Sequence, residues 1–210
     1  MPLALFAEGE ADDGRSLMYE VRLHGRGGQG AVTAAELLSV AAFDGGGWAQ
    51  AFPSFGSERT GAPVAAFCRM DDRPIRLREP VLNPNALLIL DATLLHLDGV
   101  FAGLRPDGIV LINSARQPDE LGLGDLTGRH PDVTVTTLDA SAIARRHLGR
   151  PLPNGVMLGG FAALSDTVSI EGVLQALRER FRGSTGESNA CAAQEAYDTV
   201  RLTREATVDA

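Results

Sequence analysis

The sequence predicts an α/β fold, a single domain with an open, mostly parallel sheet flanked by helices. Three observations predict it. Short apolar runs of strand length each stop at a polar residue: 86–90 before Asp91, 108–112 before Asn113 and 133–138 before Asp139. Runs bounded in this way mark strands covered on both faces, the normal state of a parallel sheet. Stretches with helical spacing separate several of them, at 94–104, 140–148, 156–164, 170–181 and 190–203, and strands alternating with helices build such a sheet. Finally, the first regular segment is a strand, a glycine loop and a helix in immediate succession.

Each element has a local reason. Residues 1–17 are small, acidic and rich in Gly and Asp, and read as a flexible extension; Met18, just before the first strand, is a second candidate start. Tyr19, Glu20, Val21, Arg22, Leu23 and His24 alternate as a strand does. Across 29–43, Val32, Ala35, Leu38 and Ala42 fall near one helical face, and Gly45, Gly46 and Gly47 end that helix. A short second strand is expected at 48–52, a loop at 53–62, and a third strand at 63–70 turned by Asp71 and Asp72. There is no internal repeat and no sign of a second domain, so 18–210 reads as one Rossmann-like unit.

Composition narrows the function classes. The 210 residues are 44% hydrophobic and 22% charged, the balance of a globular protein. A net charge of −8 argues against a nucleic-acid partner, which needs a basic face. The apolar runs fall far short of the roughly 20 residues that cross a bilayer. Cys68 and Cys191 fit no metal-ligand spacing, and two thiols cannot hold an iron–sulfur cluster that needs four ligands. Free thiols and the lack of a cationic-then-apolar leader point to the cytoplasm.

The chemistry concentrates in His24-Gly25-Arg26-Gly27-Gly28-Gln29-Gly30. Gly25, Gly27 and Gly30 have the G-x-G-x-x-G spacing between a strand and a helix. Glycines allow a tight turn and let the backbone approach a phosphate, while the helix start offers free N–H groups and the positive dipole end. Arg26 adds a guanidinium suited to bidentate phosphate contacts. The same glycines also suit close strand–helix packing with Arg26 at a surface or subunit contact, and both readings stand. A nicotinamide dinucleotide would require an acidic residue at the end of the second strand. Asp44 has about the right spacing but falls at the end of the helix, so a stand-alone NAD(P)-dependent oxidoreductase is disfavoured.

A second constellation runs from Gln50 to Pro63. Phe52, Phe55, Ser54, Ser57, Glu58 and Arg59 sit where such a sheet presents its carboxyl-end crevice. Ser54 and Arg59 are candidates to join the loop around an anion. Phe52 and Phe55 equally suit plugging the loop into the core. His24 reads as a packed strand-end imidazole, Asp91 and Asn113 as helix caps, and Asn154 as a turn that starts a helix. No Ser/His/Asp or Cys/His arrangement appears, so no residue is assigned as catalytic and none as a metal ligand.

The stretch from His24 to Leu38, opening HGRGGQGAVTAAELL, resembles the start of the γ subunit of pyruvate:ferredoxin oxidoreductase and its 2-ketoisovalerate relatives. Residues 49–56, Glu58 with Arg59, and Gly61 to Val64 resemble that family's next block. Asn154, Met157, Leu158 and Gly159 resemble a third, and Asn189, Ala193 and Ala196 its C-terminal helix. The resemblance covers about 18–197. Ser57 and Thr60 depart from it where many relatives carry proline and arginine, and family members typically start near Met18.

The resemblance implies a multi-subunit 2-oxoacid:acceptor oxidoreductase that decarboxylates a 2-oxoacid on thiamine diphosphate and passes electrons through iron–sulfur clusters to ferredoxin. The product is an acyl-CoA. Thiamine diphosphate with Mg and the [4Fe-4S] clusters are expected on partner α and β subunits and a ferredoxin-like δ subunit. The γ chain would contribute coenzyme A binding and assembly, with Gly25, Arg26, Gly27, Gly28, Gln29, Gly30, Ser54 and Arg59 as its binding residues. A ligand-free interaction subunit of the same complex is the alternative.

Overall fold

The computed structural model describes residues 18–54 and 61–208. The extension at 1–17 and residues 55–60 of the second constellation, including Phe55, Glu58 and Arg59, lie outside them. Six strands form one sheet: β1 (Tyr19–Arg26), β2 (Trp48–Pro53), β3 (Pro63–Asp71), β4 (Ala86–Ile89), β5 (Ile109–Asn113) and β6 (Thr134–Leu138). Their order is β2-β3-β1-β4-β5-β6. β4, β5 and β6 extend β1 in parallel, while β3 runs antiparallel between β1 and β2. The sheet is therefore open and mostly parallel, as the apolar runs predict, with one reversed strand.

The helices are α1 (Ala31–Asp44), α2 (Gly124–Arg129), α3 (Ala140–Leu148), α4 (Asn154–Leu164), α5 (Ile170–Arg180) and α6 (Ser184–Val208). Strand alternation divides the core in two. Val21, Leu23, Ala66, Cys68, Leu88 and Leu111 join the buried faces of α1, α3, α4, α5 and α6. Leu87, Ile89, Val110 and Ile112 point the other way, onto Val100, Leu104, Leu121 and Leu123. The long helices thus stack on one face, and turns with short helical pieces cover the other.

Three features depart from the sequence expectation. The helix expected at 94–104 is a 3-10 turn, Ala92–His96, followed by turns. Gly99 and Gly103 adopt φ of +86° and +72°, which no helix tolerates, and a Cβ on Gly103 would lie 1.9 Å from the Leu82 carbonyl oxygen. The last helix starts at Ser184, earlier than the 190 expected. A 3-10 turn at Asp119–Leu121 and α2 fill a region the sequence leaves unassigned.

The two weaker blocks of the resemblance pack on each other. Gly159 of α4 crosses α6 so closely that a Cβ there would sit 2.0 Å from the Ala193 carbonyl oxygen. Ala193 and Ala196 are fully buried at this crossing. Small residues let the two backbones meet, which holds the start of α4 in place beneath the glycine loop.

Candidate functional site

β1 delivers the loop and α1 receives it. Gly28 and Gly30 take φ of +95° and +79°, a region that costs an L-residue roughly 1–2 kcal/mol. Gly30 is the N-cap of α1 and supplies no side-chain hydrogen bond, and the first turn carries no acidic residue. The leading amides of α1 therefore have no intrahelical acceptor and face outward with the positive end of the helix. Gly27 donates its N–H to the Ala62 carbonyl at 2.9 Å and accepts from Gly61 at 3.3 Å, which ties the loop to the approach of β3.

Gln29 braces the turn from inside. Its Oε1 accepts from the Arg26 N–H at 2.7 Å, and its Nε2 donates to Asp91 Oδ2 at 2.8 Å. Both ends of the amide are thus engaged within the protein. Asp91, at the end of β4, caps the 3-10 turn by accepting from the Thr93 N–H at 2.9 Å and from its hydroxyl at 2.6 Å. Burial pushes the Asp91 pKa up, but hydrogen bonds from Thr93 and Gln29, with the Arg26 charge, hold it below the ordinary carboxylate value. The cap expected at Asp91 is present, with a second role in bracing the loop.

Arg26 lies 3.3 Å from Asp91. Its Nε and Nη2 donate to Thr93 Oγ1 at 3.2 and 2.8 Å, and Nη1 donates to the Gly61 carbonyl at 3.1 Å. Three N–H groups are used among the described residues, and a guanidinium has five. Deeper on the same face of β1, Arg22 donates from Nη2 to the Val100 and Ala102 carbonyls and from Nε to His24 Nε2 at 3.1 Å. Burial first, then the Arg22 charge, lowers the His24 pKa to about 4. His24 is a neutral, packed imidazole.

A cavity of about 450 Å³ opens at the loop, with Arg26, Gly28, Gly30, Thr33, Asn154 and Arg180 in its wall. Arg180 comes from the end of α5 and rests over the Phe181 ring at 5.7 Å. No ion pair to it is found among the described residues. Asn154 is 2% exposed at the first position of α4, where the sequence places a turn that starts a helix. Arg180 carries no local signal in the sequence; Asn154, a polar residue opening an apolar helix, carries one.

The other candidates lie elsewhere. Ser54 is exposed and donates its N–H to Ala65 at 2.9 Å. It follows β2, two inter-strand steps or roughly 10 Å from β1, and is not in the cavity wall. Arg59 lies outside the described residues. Phe52 packs on Phe67 with centroids 5.2 Å apart, beneath the Arg69 guanidinium, the plugging role open to it from sequence. Asn113 accepts from the Ser141 N–H at 3.1 Å, so it caps α3 from across the sheet.

The sheet order also bears on a dinucleotide. The carboxylate that binds a nucleotide ribose stands on a strand parallel and adjacent to the first. Here the neighbour of β1 on that side is the antiparallel β3, and β2 is the far edge. Asp44 ends α1, about 20 Å of helix from the loop.

The family model described as pyruvate ferredoxin/flavodoxin oxidoreductase matches residues 20–199. The pyruvate synthase subunit PorC of Methanothermobacter thermautotrophicus is 49% identical over 187 residues, 89% of this chain and 98% of the relative. The common γ subunit of the pyruvate/ketoisovalerate oxidoreductases of Pyrococcus furiosus is 45% identical over 185 residues, 88% and 98% of the two chains. The crystal structure of pyruvate oxidoreductase subunit PORC from Thermotoga maritima superposes with a TM-score of 0.74 at 32% identity, over 86% of this chain and 96% of that one. The chain belongs to the pyruvate ferredoxin/flavodoxin oxidoreductase family, as a subunit of the γ type.

Proposed function

We propose that this chain serves as the γ subunit of a complex that oxidatively decarboxylates a 2-oxoacid, and that its glycine-loop cavity holds the phosphates of coenzyme A. One observation carries the ligand assignment. The free amides at the start of α1, Arg26 and Arg180 converge on a cavity with no carboxylate in its wall among the described residues. Such a cavity favours an anion over any neutral or cationic ligand.

The division of labour follows from the residues. The α1 amides receive a phosphate along the helix axis, Arg180 supplies a guanidinium from the opposite wall, and the brace of Gln29 and Asp91 keeps the turn open. Arg26 offers its remaining N–H groups while its bonds to Thr93 and Gly61 fix its position. Ser54 belongs to the neighbouring rim in this reading, and Arg59 is a further candidate for the phosphates from its sequence alone. The thiol end of coenzyme A then reaches towards partner subunits, where the acyl group is generated.

Thiamine diphosphate with Mg, and [4Fe-4S] clusters, supply carbon–carbon cleavage and electron transfer on the α, β and δ partners. Cys68 is buried and Cys191 exposed, a pair unsuited to a cluster. No helix among the described residues is long and apolar enough to cross a membrane, and the reading places the complex in the cytoplasm with ferredoxin or another carrier as acceptor.

Arg180→Glu in the assembled complex tests the site. It should raise the KM for coenzyme A about tenfold or more, since it replaces a charge-assisted contact by repulsion, while decarboxylation of the 2-oxoacid in the absence of coenzyme A persists. An unchanged KM favours the second reading, a ligand-free interaction subunit. That reading draws on the exposed Phe43 and Trp48 beside the glycine turn and the exposed Leu77 and Leu82 between β3 and β4.

A further inference from the structure

Asn154 makes no hydrogen bond through its side chain among the described residues, although it is 2% exposed. Its Oδ1 is buried without a partner. Its Nδ2 lies 2.6 Å from the point that a Cβ on Gly30 would occupy. The carboxamide therefore stands directly against the N-cap of α1 and in the cavity wall.

The Oδ1 is an acceptor withdrawn from water, which is destabilising, and the Nδ2, unbonded among the described residues, is the end that lies beside Gly30. The helix start does not use it, since α4 begins with the Met157 N–H bonded to the Pro153 carbonyl and Pro153 is the cap. The close crossing of Gly159 on Ala193 fixes α4, so Asn154 is presented by a rigid element. Among the described residues of the wall, the charged side chains are the cations Arg26 and Arg180.

We propose that Asn154 is a ligand-contacting residue whose side-chain NH2 donates to the phosphate oxygen seated at the start of α1. The inference rests on the coenzyme A reading and adds to it a neutral donor on the wall formed by α4. The donor lies beside Gly30 because only glycine leaves room for it, so the positive φ of the loop and the amide of α4 form one anion cradle.

The test is a calorimetric titration of coenzyme A into the assembled complex without 2-oxoacid, comparing wild type, Asn154→Leu and Arg180→Glu. Leucine keeps the branched shape and removes both polar ends. A structural polar group without partners predicts a melting temperature unchanged or raised on this substitution. A contact residue predicts, in addition, a Kd for coenzyme A raised about 10- to 100-fold. A Kd unchanged in Asn154→Leu but raised in Arg180→Glu overturns this inference and leaves the site reading standing. A Kd unchanged in both overturns the site reading and this inference with it. A melting temperature that falls together with the loss of binding assigns Asn154 to structure and also overturns the inference. Asn154→Asp gives a second measure: its carboxylate should repel the anion, and its Kd should recover as the pH is lowered and the carboxyl becomes a donor.

Discussion

Gly30→Ala separates backbone geometry from packing when it is compared with Gly28→Ala. Both positions have positive φ, +79° and +95°. At Gly28 an added Cβ meets nothing within 4 Å, so only the left-handed conformation resists it. That costs about 1–2 kcal/mol. At Gly30 the Cβ would stand 2.6 Å from Asn154 Nδ2, 3.1 Å from its Cγ and 3.2 Å from its Cβ. The obstruction reaches the root of that side chain, so rotation of its tip does not relieve it, and overpacking of this kind adds about 1–3 kcal/mol. The sum for Gly30→Ala is about 2–5 kcal/mol, which for a domain of this size lowers the melting temperature by roughly 4–20 °C. Gly28→Ala should cost about 2–8 °C on the same scale. Thermal unfolding of the full chain followed by circular dichroism measures both. Combining Gly30→Ala with Asn154→Ala should recover most of the steric part and none of the backbone part. Equal melting temperatures for the two single variants would refute the close approach of Asn154 to the loop.

Two further outcomes follow from the core and from the buried imidazole. The folded state holds the His24 pKa near 4 against an ordinary 6.5, so the unfolded chain binds the extra proton between those values. The neutral fold keeps its full advantage above pH 6.5 and loses about 3 kcal/mol as the pH falls to 4. Denaturant titrations across that window should show this slope, and His24→Gln should flatten it. Gly159→Ala should separate α4 from α6, because the Cβ meets backbone rather than a flexible side chain. A melting temperature within a few degrees of wild type would contradict the crossing.

Legibility followed the locality of the signals. α3 appears at the residues expected because its stop and start are both local: Asp139 caps it by accepting from the Ala142 N–H, and Gly149 ends it in the left-handed region. The expected helix at 94–104 failed because its apolar spacing competes with Gly103, pressed against the Leu82 carbonyl from another segment. The place of β3 between β1 and β2 is set by pairing, which periodicity does not encode. Within the site, the glycine loop and Arg26 were readable from spacing. The inward turn of Gln29 depends on Asp91, 62 residues away, and Arg180 reaches the cavity only because α5 packs on α1. The unbonded state of Asn154 is a property of the tertiary structure and not of its neighbours in sequence.

The lid formed by α6 has a consequence for the order in which the protein is made. This helix follows the other described elements in sequence, yet it packs on α3, α4 and α5 and buries Ala192, Ala193, Ala196 and Val200 in the common core. Until its 25 residues emerge, the apolar surface of α4 around Gly159 has nothing to close it. A nascent chain therefore carries an open, sticky flank until this helix has emerged. The rigid wall that presents Asn154 to the loop is completed only with α6, so binding competence waits for that helix.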